Sequence, residues 1–158
     1  MNTIFILGAK YLIFVAAIVF VLFFLFQDRT VRTRLLLFSI AALPAIYIVA
    51  KILALVFYDP RPFVVGHFEP LVAHAPDNGF PSDHTLLGGA LASVLWPFNK
   101  YTSLLLWALT IIVGLSRVYV GVHHIVDIAG SIVISIMVSW LIYRWMSKKP
   151  WYAKHASD

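Results

Sequence analysis

His123 and Asp127 stand four residues apart at the start of a long apolar run, so on a helix both fall on one face. A carboxylate in that register accepts a hydrogen bond from one imidazole nitrogen. The other nitrogen is then left unprotonated and directed outward, as a nucleophile or general base requires. Arg117 precedes the pair across a short stretch containing Gly121, which reads as a tight turn. Its guanidinium fork matches the oxygens of a phosphate. Taken alone, the pair also fits an interfacial histidine held by a helix-start aspartate.

Two further groups carry the same chemistry. In Pro81-Ser82-Asp83-His84, proline fixes the approach and Ser82 stands at the N-cap of the next apolar run. The first turn of such a helix has unpaired N–H groups and the positive end of its dipole, which together bind anions. His84 in that turn is placed to protonate a leaving oxygen, or is an incidental interfacial residue. Arg61, between Pro60 and Pro62, is a stiffly held cation. Lys51 lies ten residues earlier, about 15 Å of helix rise, and either snorkels outward or points into the bundle. Each group has a structural reading by itself. Together they describe an oxyanion pocket with a nucleophile and a proton donor, which suits phosphoryl transfer to a side chain.

The elements that position these residues are membrane helices. Of 158 residues, 61% are hydrophobic and 12% charged. Mean hydropathy is +0.89 and the pI about 9.6, the latter from a net charge of only +5. Too few polar residues exist to cover a soluble surface, which excludes a cytosolic enzyme, a disordered chain and a nucleic-acid binder. Without cysteine, neither disulfides nor thiolate chemistry is available. A span needs about 20 apolar residues. Five runs qualify or nearly so: 3–26, 35–58, 84–98 (the shortest), 101–120 and 125–146. The first is too long for a signal peptide's apolar region and reads as retained. The expected fold is all-α, an integral membrane bundle of about five transmembrane helices forming a single domain over 1–158. Its tail carries Trp151 and Tyr152, residues that favour the headgroup layer.

Basic residues orient the bundle. Arg29, Arg32, Arg34, Lys100, Arg144, Lys148, Lys149 and Lys154 fall on one side, which the positive-inside rule makes cytoplasmic. The N-terminus is then outside, the C-terminus inside, and the reactive groups lie at the extracytoplasmic face of the cell (inner) membrane.

Ser116-Arg117-x5-His123-x3-Asp127 is similar in full to the third signature of the type 2 phosphatidic acid phosphatase superfamily, which includes the vanadium haloperoxidases. Pro81-Ser82-Asp83-His84 resembles the second signature, usually P-S-G-H, and Arg61-Pro62 the end of the first, K-x6-R-P. The resemblance covers residues 51–127 in the right order, and three ordered signatures are far more specific than any one. It implies that His123 attacks phosphorus to form a phosphohistidine, that Asp127 orients it, and that His84 protonates the leaving group. Arg61, Ser82 and Arg117 would hold the phosphate oxygens, with Ser116 in support. Two positions depart from the pattern. The family lysine falls at Ala54, and Lys51 is one turn earlier on a similar face; Asp83 replaces glycine beside the phosphate pocket. P-S-D-H resembles the bacterial undecaprenyl diphosphate phosphatase branch.

The expected activity is hydrolysis of the terminal phosphate of a lipid diphosphate, foremost undecaprenyl diphosphate. The alternatives are phosphatidylglycerophosphate, phosphatidic acid or lipid A as substrate, or, in another class, an anion transporter or channel. The partners expected are the lipid substrate and the surrounding membrane lipids, with no cofactor. His67, Glu69, His74 and His124 lie on the same side, but their spacing matches no zinc signature, so no metal is expected. Residues 66–80 are expected to cap the lipid entrance, with Phe63, Phe68 and Phe80 touching membrane or acyl chain.

Overall fold

The computed structural model describes residues 2–154, and these are helical with short connections. The elements are α1 (Asn2–Leu25), α2 (Arg29–Val56), α3 (Pro62–Val65), α4 (Asp83–Leu95), α5 (Lys100–Tyr119), α6 (Ile125–Met146) and α7 (Pro150–Lys154). Among the described residues, α1, α2, α5 and α6 are long and apolar enough to cross a membrane. The third expected span is the exception. With 13 residues, α4 rises only about 20 Å, short of the roughly 30 Å of hydrocarbon. It runs from the reactive end of the bundle to the opposite end, and α5 returns.

Two boundaries differ from the sequence expectation for a local reason. The Asp28 side chain accepts a hydrogen bond from the Val31 N–H at 2.9 Å and starts α2 there, so Arg29, Arg32 and Arg34 are helical rather than loop. Asn99 does the same for α5, accepting from the Thr102 N–H at 2.9 Å.

The short α4 is the axis of the packing and touches α1, α2, α5 and α6. Its small residues allow this approach. A Cβ on Gly88 would meet Thr110 Oγ1 at 2.5 Å, and one on Gly89 would meet Ser135 Oγ at 2.9 Å. Buried hydroxyls tie the helices at the same level: Ser103 donates to the Ala92 carbonyl at 2.7 Å and Ser135 to the Leu86 carbonyl at 3.2 Å. Meanwhile the outside of the bundle is greasy, with Ile4, Phe14, Ile40, Leu105 and Val133 all exposed. A polar-specked interior inside an apolar exterior is what lipid as solvent demands. The chain is a multi-pass membrane protein.

At the end away from the reactive residues, basic side chains lie over tryptophan rings. Lys100 is 5.9 Å from Trp96, Arg144 is 5.2 Å from Trp140, and Lys149 is 4.9 Å from Trp145. Trp151 is exposed, as its expected interfacial place requires. Tyr152 is not: it is 0% exposed, packed into the core with the Arg34 guanidinium 5.0 Å from its ring. Lys154 lies at the end of α7, and nothing is described beyond it.

Candidate active site

The turn between α5 and α6 sets the first pair. Gly121 has φ +81°, and a Cβ there would also meet Phe68 at 2.6 Å, so only glycine suits the position. The chain then enters α6 with His123 3% and Asp127 0% exposed. His123 Nδ1 lies 3.1 Å from Asp127 Oδ2, which also accepts the His124 backbone N–H at 2.9 Å. A carboxylate only accepts here, so Nδ1 carries the proton and Nε2 presents its lone pair. Burial lowers the His123 pKa below its ordinary value; the hydrogen bond to Asp127 opposes this, and the charges of Arg117 and Arg61 reinforce it. The imidazole is neutral at pH 7, the state from which a nucleophile attacks.

Two guanidiniums converge on it, each at least nine-tenths buried. Arg61 is anchored on nearly every side: Nε donates to Asp77 Oδ1 at 2.7 Å, Nη1 to the Val122 carbonyl at 2.8 Å, and Nη2 to the Asn78 carbonyl at 3.3 Å. Its Nη1 also lies 3.4 Å from His123 Nε2. Arg117 is the opposite case, with a buried Nε that has no partner among the described residues. Burying an uncompensated charge costs several kcal/mol, on the order of 3–5 when a pair is broken. Such a group beside a second cation can receive an anion.

The N-terminus of α4 closes the pocket from below. Ser82 is fully buried, and its hydroxyl accepts from Thr85 Oγ1 at 3.3 Å, leaving its own proton to donate. Ser131, which the sequence patterns do not mark, fixes this end. Its hydroxyl lies 2.7 Å from the Asp127 carbonyl and 3.0 Å from the Ser82 carbonyl, so one side chain joins the two helix starts. His84, half-buried in the first turn of α4, sits where the charge of Arg117 reaches it.

The remaining expected ligands stand elsewhere. Lys51 Nζ is 3.3 Å from Asp83 Oδ1, with both side chains about half exposed or more (48% and 67%). Lys51 and the departing Asp83 therefore pair with each other at the rim. Ser116 is buried, but its hydroxyl donates to the Ile112 carbonyl at 2.7 Å and lies against Gly8, where a Cβ would be 2.6 Å away. In this structure it packs α5 on α1 rather than entering the phosphate pocket. A backbone carbonyl four residues back offers a serine in a membrane helix its nearest acceptor.

Residues 66–80, the expected cap, are held by contacts that sequence spacing does not reveal. The Asn78 amide accepts from the Asp59 and Phe80 N–H groups at 3.0 Å each and donates to the Ala54 and Phe57 carbonyls, also at 3.0 Å. Phe80 points inward instead of toward lipid, edge-on to Phe57 and against Gly130. Phe68 lies over Gly121 and is 47% exposed. Beneath the cap a cavity of ≈ 610 Å³ is lined by Phe68, Glu69, Leu71, Tyr119, His123 and His124. His124 Nδ1 pairs with Asp59 Oδ2 at 2.9 Å. Asp59, His124 and Asp127 offer ligand atoms within 4.8 Å of one another, a different set from the histidines grouped by sequence. Here Asp59 and His124 satisfy each other, and Asp127 serves the dyad.

Residues 32–151 match the PAP2 superfamily. The chain is 30% identical over 144 residues to undecaprenyl-diphosphatase BcrC of Bacillus subtilis, covering 91% of this chain and 74% of that one. It is also 30% identical over 146 residues to the putative undecaprenyl-diphosphatase YbjG of Escherichia coli (89% and 73% covered). With lipid A 4'-phosphatase of Porphyromonas gingivalis it shares 28% over 157 residues (89% and 63%). The fold is that of the crystal structure of Aquifex aeolicus LpxE, with a TM-score of 0.66 at 24% identity over 90% of this chain and 83% of that one. The neutral, carboxylate-bound histidine facing buried arginines thus sits in a chain that belongs to the PAP2 superfamily of membrane lipid phosphatases.

Proposed function

We propose that the chain removes the terminal phosphate of a lipid diphosphate, with undecaprenyl diphosphate the substrate, through a phosphohistidine on His123. One observation carries the chemistry: a neutral imidazole bound at Nδ1 by Asp127, its Nε2 facing the buried Arg61 guanidinium. Nε2 attacks the terminal phosphorus, the bond from phosphorus to the bridging oxygen breaks, and His84 gives that oxygen its proton. Water then attacks the phosphohistidine, returning a proton to His84 and releasing inorganic phosphate. Arg61, Arg117, Ser82 and the α4 N-terminus stabilise the charge on the transferring group. Asp127 keeps the proton on Nδ1 and supports the imidazolium that forms.

An amphiphilic substrate is supported by a second feature. From Asp83 at the pocket rim, an apolar groove of ≈ 260 Å³ runs between α2 and α4, lined by Leu43, Ile46, Tyr47, Leu86, Leu87 and Ala90. A headgroup at His123 has room for the start of its chain there. The diphosphate reading rests on the likeness to the two undecaprenyl-diphosphatases. The likeness to a lipid A phosphatase supports the rival headgroup. With the basic, tryptophan-rich end cytoplasmic, hydrolysis takes place on the outer face.

Phosphate release by the purified protein in detergent from a panel of lipids tests this reading. Undecaprenyl diphosphate should give a higher kcat/KM than phosphatidic acid, phosphatidylglycerophosphate or lipid A. Release confined to one of the other three would replace the substrate, and no release from any would favour an anion transporter.

A further inference from the structure

The cap brings one more imidazole to the pocket. The His74 ring stands 6.2 Å from that of His123, centroid to centroid, at 73°. Its Nδ1 faces the Ala75 carbonyl at 3.3 Å, and Asp77 Oδ1 is 3.9 Å away. Nε2 has no hydrogen-bond partner among the described residues, and the side chain is 24% exposed.

The charges around the pocket are largely spoken for. Arg61 is matched by Asp77 at 2.7 Å and Lys51 by Asp83 at 3.3 Å, which leaves Arg117 as the buried cation without a carboxylate. A diphosphate brings more negative charge than a monophosphate, and the groups at the base of the pocket serve its terminal phosphorus. On the outer side His124 is already paired with Asp59 at 2.9 Å, whereas His74 has no carboxylate within hydrogen-bond distance, stands beside the His123 ring and can still become a cation. We propose that His74 is a further substrate-binding residue, contacting the second, lipid-linked phosphate and so favouring lipid diphosphates over monophosphates. This rests on the lipid diphosphate reading above.

The electrostatics agree with that role. Burial, then the charge of Arg61, hold the His74 pKa below its ordinary value, with Arg117 adding to the effect while the Ala75 carbonyl and Asp77 oppose it. In the free enzyme the ring is neutral and adds no repulsion between the arginines. An arriving phosphate anion offsets both guanidiniums and stabilises the imidazolium, which then donates from Nε2.

Farnesyl diphosphate and farnesyl monophosphate share a tail and differ by the group in question, so they are the paired probes for the full chain in detergent. The wild type should prefer the diphosphate. His74→Ala should lower kcat/KM for the diphosphate by about 10-fold or more, as expected for a hydrogen bond to a charged group. The monophosphate value should change by less than about 2-fold on the same scale, and it reports that the variant is folded. His74→Gln, which keeps a donor without the charge, should fall between. Equal losses on both probes in both variants, or no loss on the diphosphate, would overturn the role of His74. A wild type that releases phosphate from the monophosphate alone would overturn the diphosphate reading, and this inference with it.

Discussion

Arg61 Nη1 lies 3.4 Å from His123 Nε2, so a permanent cation faces the lone pair of the attacking nitrogen. The contact disfavours a proton on Nε2 and marks where a phosphate oxygen must come between the two groups. It is possible because Asp77 and two backbone carbonyls hold the rest of the guanidinium in place.

The acid limb of kcat/KM should reflect that arrangement. His123 acts unprotonated, and its pKa is lowered from 6.5, so activity should persist as pH falls through 6.5 and fail only below it. Asp127 raises this pKa, so Asp127→Asn should move the limb further down, whereas Arg61→Ala should move it up. A wild-type limb above 6.5 would contradict the neutral dyad.

Asp127→Asn should also separate orientation from binding. An amide cannot support the imidazolium or enforce the same tautomer, so kcat should fall by about 100-fold or more. Vanadate, which takes the geometry of the transferring phosphoryl group, meets arginines and a helix end that the substitution leaves alone. Its inhibition constant should therefore move little, and a large rise with unchanged kcat would sink the orienting role.

Ser131→Ala removes the hydroxyl that joins the Asp127 and Ser82 carbonyls. The loss is about 1 kcal/mol of hydrogen bonding, and α6 retains its own backbone ladder. We expect a few-degree drop in Tm in detergent, with a fall in kcat of up to about 10-fold as the helix starts drift apart. Unchanged kcat at reduced Tm would make Ser131 a purely structural link.

Membrane sidedness is measurable because the native chain has no cysteine. Asn78 sits in the outer loop by sequence but carries four hydrogen bonds, so exposed Ala73 is the better cap site. In intact cells Ala73→Cys should react with an impermeant thiol reagent, and Ser147→Cys, at the basic end, should not. The reverse pattern would place the pocket in the cytoplasm.

The apolar runs located α1, α5 and α6 to within a residue or so, because lipid-facing residues must be apolar over a fixed length. Residues 84–98 were harder: α4 is wrapped by its neighbours and need not match the bilayer thickness. His123, Asp127, Arg61, Arg117 and Ser82 were legible because their types are costly in such a chain and their order is specific. Asp77, Asn78 and Ser131 were not. Ordinary loop and helix residues by type, they gain their roles from partners brought together only by the fold, as Ser131 does with Ser82, 49 positions away. Ser116 shows the converse, a signature serine whose hydroxyl the local helix claims.

The account turns on a bond between phosphorus and His123 Nε2, and rapid-quench trapping reads it directly. Phosphohistidine survives alkali and is lost in acid, so an alkaline quench after mixing enzyme with farnesyl diphosphate, followed by peptide mass spectrometry, locates the phosphoryl group. It should appear on His123 within the first turnover and be absent from His124 and His74. His123→Ala should abolish both the adduct and turnover, a loss of at least about 1000-fold. A wild type that turns over with no phosphoryl group on His123, or a His123→Ala variant of near-normal rate, would contradict the mechanism.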